Sequence, residues 1–250
     1  MQSIYTAKNG LQTQQKRLDA VAANIANLGT VAYKSQSTGF KDALYTQMID
    51  PSDADSEANL MQGSGVLLSS TGRDFSQGTP VQTGEPLDFC IEGDGFFTVS
   101  DGEDGVLYTR SGAFAVSDED GGRYLVTSNG YYVLDADGKR IALPEDLSGL
   151  SIGENGLMDF GDGTSAKLEI VTFTNMEGLS SEGRGCFAET EASGKAKAID
   201  SNVRNGWLES SNVNITLELT KLIRTQRAYT LSGKVLSAWQ EMETETNNIL

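Results

Sequence analysis

Residues 3–28 read SIYTAKNGLQTQQKRLDAVAANIANL, and the spacing of apolar positions in them decides what the ends of this chain can be. Ile4, Leu11, Leu18 and Ile25 recur every seven residues, and Ala7, Gln14, Val21 and Leu28 form a second file offset by three. Side chains at i, i+3, i+4 and i+7 stack on one face at 3.6 residues per turn, so the stretch predicts a helix over about 3–28 with an apolar seam. Gly29 stands where a left-handed cap would end it. The far end repeats the pattern. Ala228, Leu231, Val235, Ala238, Met242 and Ile249 follow three- and four-residue steps, and Ile215, Leu219, Leu222, Tyr229 and Leu236 make a second stripe. This helix is expected to begin near Asn212 or Asn214, either of which can cap it, with Glu218 facing the positive end of the dipole. Neither helix can bury its seam alone, and one that is apolar on two sides wants more than one neighbour. The simplest solution brings the two chain ends together and adds copies from other chains. An isolated helical hairpin propping up the middle is the rival reading.

Glycine and proline mark the division. Residues 1–35 and 207–250 hold three of the 28 Gly and none of the four Pro. Both residues are costly inside a helix, so the ends suit helix and the middle does not. Thr30–Lys34 reads as extended, a short helix is expected around Phe40–Met48, and residues 51–64 read as a polar surface loop or a flexible insert. From Gly65 to about Ala198, Asp-Gly and Asn-Gly pairs recur (Asp94-Gly95, Asp101-Gly102, Asn129-Gly130 and Asp137-Gly138 among them), as tight hairpins require. Between them lie β-prone runs at Leu87–Ile91, Phe96–Ser100, Leu107–Arg110, Tyr124–Thr127, Tyr131–Leu134, Lys139–Leu143 and Lys167–Thr174. Such spacing predicts a small sandwich or irregular barrel.

The net charge of −16 is unevenly spread. Residues 1–50 carry five Lys/Arg against three Asp/Glu, and residues 201–250 carry five against five, so the middle 150 residues hold −18. An acidic middle argues against nucleic acid, which needs clustered cations. No apolar run reaches the 18 residues of a membrane span, and the first residues lack the basic and apolar regions of a cleaved secretory signal. The absence of His removes Ser-His-Asp and Cys-His pairs and any His-ligated zinc site. Cys90 and Cys186, alone in the chain, sit in apolar strand-like runs and read better as two buried free thiols than as a disulfide.

Several motifs tempt and fall short. Asp118-Glu-Asp120-Gly-Gly and Asp135-Ala-Asp137-Gly resemble calcium loops, but neither completes the ligand set, and hairpin turns explain both. Gly93-Asp-Gly95 lacks the third glycine and the helix of a dinucleotide loop. With 35 carboxylates, no pair is singled out for glycoside chemistry, and solvated surface charge is the favoured reading. No catalytic, cofactor-binding or metal-ligating residue is expected.

Three blocks then resemble one family. LDAVAANIANLGTVAYK (Leu18–Lys34) is similar to the opening signature of flagellar rod and hook proteins. LDFCIEGDGFFTV (Leu87–Val99), YTRSGAF (Tyr108–Phe114) and YLVTSNGYYVL (Tyr124–Leu134) look like their β domain. GWLESSNVNITLELTKLIRTQRAYTLSGKVL (Gly206–Leu236) looks like their closing signature, with Ser211-Asn212-Val213, Glu218 and Gln226-Arg227-Ala228-Tyr229 matching best. Departures are Ala23 and Gly29 where Asn is usual, and Ala32-Tyr33 where Gly-Phe is usual. The length favours the basal-body rod branch over hook protein, and Ala43-Leu44-Tyr45 with the GDGFF block leans toward its distal type.

The resemblance implies an α+β fold. Terminal helices (1–30 with 212–250) would pair as an antiparallel coiled coil, an extended connecting region (31–64 with 190–211) would follow, and a mainly antiparallel all-β domain (65–189) would form the outer layer. It implies a structural subunit polymerising into a hollow, torque-transmitting axial tube in the basal body of the cell envelope. The subunit would be exported through the flagellar type III apparatus without a cleaved signal peptide. Its partners would be copies of itself and other rod and hook subunits, with no nucleic acid and no membrane insertion. Expected assembly residues are Ile4, Leu11, Leu18, Val21, Ile25, Leu28, Val213, Leu222, Ala228, Leu231, Val235, Ala238 and Met242. The alternative is an acidic carbohydrate-binding or carbohydrate-active β domain with helical oligomerisation ends.

Overall fold

A computed structural model describes residues 2–47, 61–63, 65–102, 105–119, 122–144, 151–153, 156–161 and 164–249. The chain is α+β with mostly antiparallel pairing, and it divides into two compact units. One comprises residues 1–26, 36–73 and 214–250, and the other residues 27–35 and 74–213.

The first unit holds both long helices, α1 (Gln2–Ala26) and α2 (Ile215–Ile249). At 1.5 Å per residue α2 is about 52 Å long. Asn214 caps it: its Oδ1 accepts the N–H groups of Thr216 (3.1 Å) and Leu217 (3.2 Å), which have no partner within the helix. The two helices pack on one another. α1 also packs on an antiparallel ladder of Gln36–Asp42 with Val66–Arg73, which carries a bulge at Gly39/Phe40. Tyr45–Gln47 pairs with Met61–Gly63. The short helix expected around Phe40–Met48 is therefore absent from the described part of that stretch. So brief a segment gains little as an isolated helix, whereas pairing with Val66–Arg73 satisfies its backbone. Most of the polar loop expected at 51–64 lies outside the described residues.

The second unit is built around the strand Phe96–Ser100. One edge pairs with Val106–Thr109, and the other is shared between Tyr132–Val133, opposite Val99 and Ser100, and Ile170–Thr172, opposite Phe96 and Phe97. Beyond these lie Cys186–Ala188 and Ser180–Gly183 on one side, and Gly122–Thr127 and Phe114–Glu119 on the other. Successive side chains of a strand point to opposite faces. Phe97 and Val99 accordingly enter one core with Phe89, Ile91, Leu125, Val133 and Leu168, while Phe96 enters a second with Tyr108, Val171, Phe173 and Phe187. The second core is aromatic, with edge-to-face rings such as Tyr108–Phe173 at 4.9 Å between centroids.

Local readings fared unevenly. The Phe96–Ser100 run is a strand from end to end, and Asn129-Gly130 makes its turn with Gly130 at φ 85°. Lys139–Leu143 is not a continuous strand. It crosses between two others through isolated bridges, Ile141 donating to the Val133 carbonyl (3.2 Å) and accepting from Leu125 (3.0 Å), which buries the Ile141 side chain. The helix stops at Ala26 instead of Leu28, Thr30–Ala32 turn where Thr30–Lys34 was expected to extend, and Gly29 is not left-handed. The left-handed residue is Ala32, at φ 54°. Its N–H bonds the Glu209 carbonyl at 2.8 Å, and that tertiary bond holds the conformation where sequence favours glycine.

Candidate assembly surface

The α1 seam is partly covered within the chain. Val21 is buried, and Leu11, Leu18, Ile25 and Leu28 are half-buried, while the side chain of Ile4 lies outside the described residues. The fully covered positions of α1 otherwise are small or polar: Thr13, Ala20 and Asn24.

On α2 the contrast is sharper. Among its described side chains the buried ones are Glu218 and Thr225, and Leu222, Ala228, Ser232, Leu236 and Trp239 are half-buried along the same stripe. The large aliphatic residues face water: Leu217 (58% exposed), Ile223 (51%), Leu231 (64%), Val235 (57%) and Met242 (59%), with Ala238 exposed beside them. They fall on two flanks of the buried stripe. Ile215, Leu219 and Ile223 line one side of the first half at four-residue steps, and Leu231, Val235, Ala238 and Met242 line the other side of the second half. Among the expected assembly residues, Leu231, Val235, Ala238 and Met242 are thus open to a partner, and Leu222 and Ala228 are partly covered. Val213 is buried and belongs to the other unit.

A polar knot sits where the first turn of α2 meets the last turns of α1. Asn24 Oδ1 accepts the Gln36 N–H (2.8 Å), and its Nδ2 donates to the Gln36 carbonyl (2.9 Å) and to Glu218 Oε2 (3.2 Å). Glu218 Oε1 accepts from Lys221 (2.6 Å) one turn along α2. Asn24 and Glu218 are each nearly inaccessible to solvent.

The second unit contains a buried ionic cluster that no periodicity announces. Glu209 Oε1 accepts from Lys34 Nζ (2.6 Å) and the Gly78 N–H (2.8 Å), and its Oε2 accepts from Arg110 Nε (2.7 Å). Lys34 also reaches the Ser76 carbonyl (2.8 Å), and Arg110 the carbonyls of Gly93 and Gly95. The close approach of Gly78 requires glycine, because a Cβ there would lie 1.9 Å from the Ser210 carbonyl oxygen. Burial alone would raise the Glu209 carboxyl, but Arg110 and Lys34 outweigh it and hold the group below its ordinary value. Asn212 completes the closure, accepting the Ser35 N–H (2.8 Å) and donating to the Asp74 and Ser76 carbonyls. Each charged head is engaged by protein groups, as a structural lock would be. Cys90 and Cys186 are both free and buried, and burial pushes both thiols up. Among the described residues no three carboxylate or thiol side chains gather as a metal site, and no helix is long and apolar enough to cross a membrane.

Three family models match the chain in order: flagella basal body rod protein at residues 4–34, flagellar hook protein FlgE/F/G D1 domain at 90–159, and flagellar basal body rod FlgEFG protein C-terminal at 204–249. The chain is 34% identical to the flagellar basal-body rod protein FlgG of Caulobacter vibrioides, over 100% of this chain and 99% of the relative. It belongs to the flagellar basal-body rod protein family. Against FlgG of Bacillus subtilis the identity is 32%, over 100% and 99%, and against FlgF of Caulobacter vibrioides 30%, over 96% and 94%. The three family segments each supply one member of the buried cluster: Lys34 from the first, Arg110 from the second and Glu209 from the third. The first and third likewise supply Asn24 and Glu218.

Proposed function

We propose that this chain is a structural subunit of the flagellar basal-body rod, polymerising through α1 and α2 into a hollow tube that transmits torque and leaves a channel for export. In this reading the helices pair as an antiparallel coiled coil and stack against those of neighbouring copies, while the β-rich unit forms the outer layer. Other rod and hook subunits are its further partners, the flagellar type III apparatus exports it, and it carries out no catalysis.

The observation that carries the reading is the exposed aliphatic flanks of α2. Each such side chain gains about 1.5–3 kcal/mol on full burial, and contiguous exposed apolar surface of this kind marks association. Leu231 and Val235 test it better than Leu18, whose half-buried position would mix folding with assembly. Leu231→Asp/Val235→Asp is expected to leave the dilute chain folded and its β-type circular dichroism intact. Electron microscopy of the parent at rising concentration should show rods or tubes, and the variant should stay discrete and leave cells non-motile. Rods formed equally by the variant would sink the proposal, and a parent discrete at every concentration would favour a lectin-like or hydrolase-like domain.

A further inference from the structure

We propose that the Asn24–Glu218 hydrogen bond sets the register of α1 against α2. On the reading above, it thereby selects which side chains α2 offers to neighbouring copies. The apolar part of the seam cannot do this. Leu11, Leu18 and Ile25 repeat at seven residues, and α2 answers with a graded series of Leu222, Thr225, Ala228, Ser232 and Leu236. Apolar contact is non-directional, so by itself it discriminates weakly between neighbouring registers.

The polar knot is different. Both hydrogen bonds to Gln36 fix the Asn24 amide, its oxygen taken by an N–H, so the group facing Glu218 is a donor with a defined direction. Lys221 lies on the same helix as Glu218 and stays beside it in any register, so it cannot discriminate. In the observed alignment the buried Glu218 carboxylate takes its α1 donor from Asn24, and a one-turn slip that brings Ala20 or Val21 to that place removes it. A buried polar group with one satisfactory partner is the kind of feature that fixes helix alignment at some cost in stability.

The test is made on the dilute full chain and so does not depend on whether rods form. Cysteines at Ala22 and Lys234, both exposed, carry nitroxide labels in a chain with Cys90→Ala and Cys186→Ala. Dipolar distance measurement should give one narrow distance for the parent. Glu218→Gln, whose carbonyl still accepts from Asn24, should keep it. Glu218→Leu should retain its helical circular dichroism yet show two or more distances, because a one-turn slip moves the labels along the helix axis by roughly 5 Å. A single parental distance in Glu218→Leu overturns the proposal. Loss of helical signal in that variant also overturns it, since the bond would then hold the pair together instead of aligning it. So does a parent without one defined distance. The electron microscopy above fails separately if assembly does not occur.

Discussion

In the unit of residues 27–35 and 74–213, Phe97, Val99 and Leu125 are inaccessible to water, and the buried charges of Lys34, Arg110 and Glu209 neutralise or solvate one another. In the unit of residues 1–26, 36–73 and 214–250 the order is reversed. Glu218, Asn24, Thr13 and Thr225 are buried while Leu217, Leu231, Val235 and Met242 are exposed. The first arrangement is complete within one chain, with apolar area removed from water on both faces of its central strand. The second leaves several large aliphatic side chains exposed, and in the proposed assembly neighbouring copies would cover them. One sequence therefore contains a part whose apolar side chains are covered by folding and a part that leaves several of them in water.

The largest expected effect tests the closure of the first part. Glu209→Gln leaves two buried cations without their carboxylate and should cost about 3–5 kcal/mol in denaturant unfolding. Lys34→Met/Arg110→Met/Glu209→Leu should recover most of it, since a packed apolar triad carries no desolvation penalty. If Glu209→Gln unfolds like the parent, the cluster is not a lock.

A paired truncation sharpens the contrast. Phe97→Ala should cost about 3–5 kcal/mol through the cavity it leaves, whereas Leu231→Ala in the dilute chain should stay within about 0.5 kcal/mol. Equal losses would mean that α2 is already covered.

Acid provides a third probe. The Glu209 carboxyl sits below its ordinary value of 4.5 in the folded chain. Its contribution is therefore fully present above that value and is lost as pH falls through the folded one. Parent stability followed by β-type circular dichroism should decline on the acid side of 4.5 with a component that Glu209→Gln lacks. A parent and variant with the same acid slope would remove Glu209 from the account.

The smallest effect concerns Ala32. Its φ of 54° strains a residue with a Cβ, and Ala32→Gly should raise the melting free energy by up to about 1 kcal/mol, the relief being offset in part by unfolded-state entropy. A destabilised variant would show that the turn is held for some other reason.

Much of this was legible along the chain. The heptads of residues 3–28 and the steps from Asn214 onward announced α1 and α2, because helix periodicity repeats over distances shorter than the helix. Asp101-Gly102 and Asn129-Gly130 marked hairpins because positive φ is a property of the residue itself, whereas Asp94-Gly95 joins two strands that do not pair with each other. The three family blocks could be read for the same reason, each being continuous. Where local signal was weak it misled: Phe40–Asp42 looked helical until a strand from Val66–Arg73 claimed its backbone.

What the sequence alone determined is thus the two terminal helices, several strands of the middle, the amphipathic character of the ends and the family. Tertiary structure decided which flank of α2 is covered, that Asn24 meets Glu218, and that Lys34, Arg110 and Glu209 share one cage. The reason is separation. Asn24 and Glu218 are 194 residues apart and Lys34 and Glu209 are 175 apart. A charge in isolation reads as solvated surface, and only the folded chain shows that its partner lies close enough to repay burial.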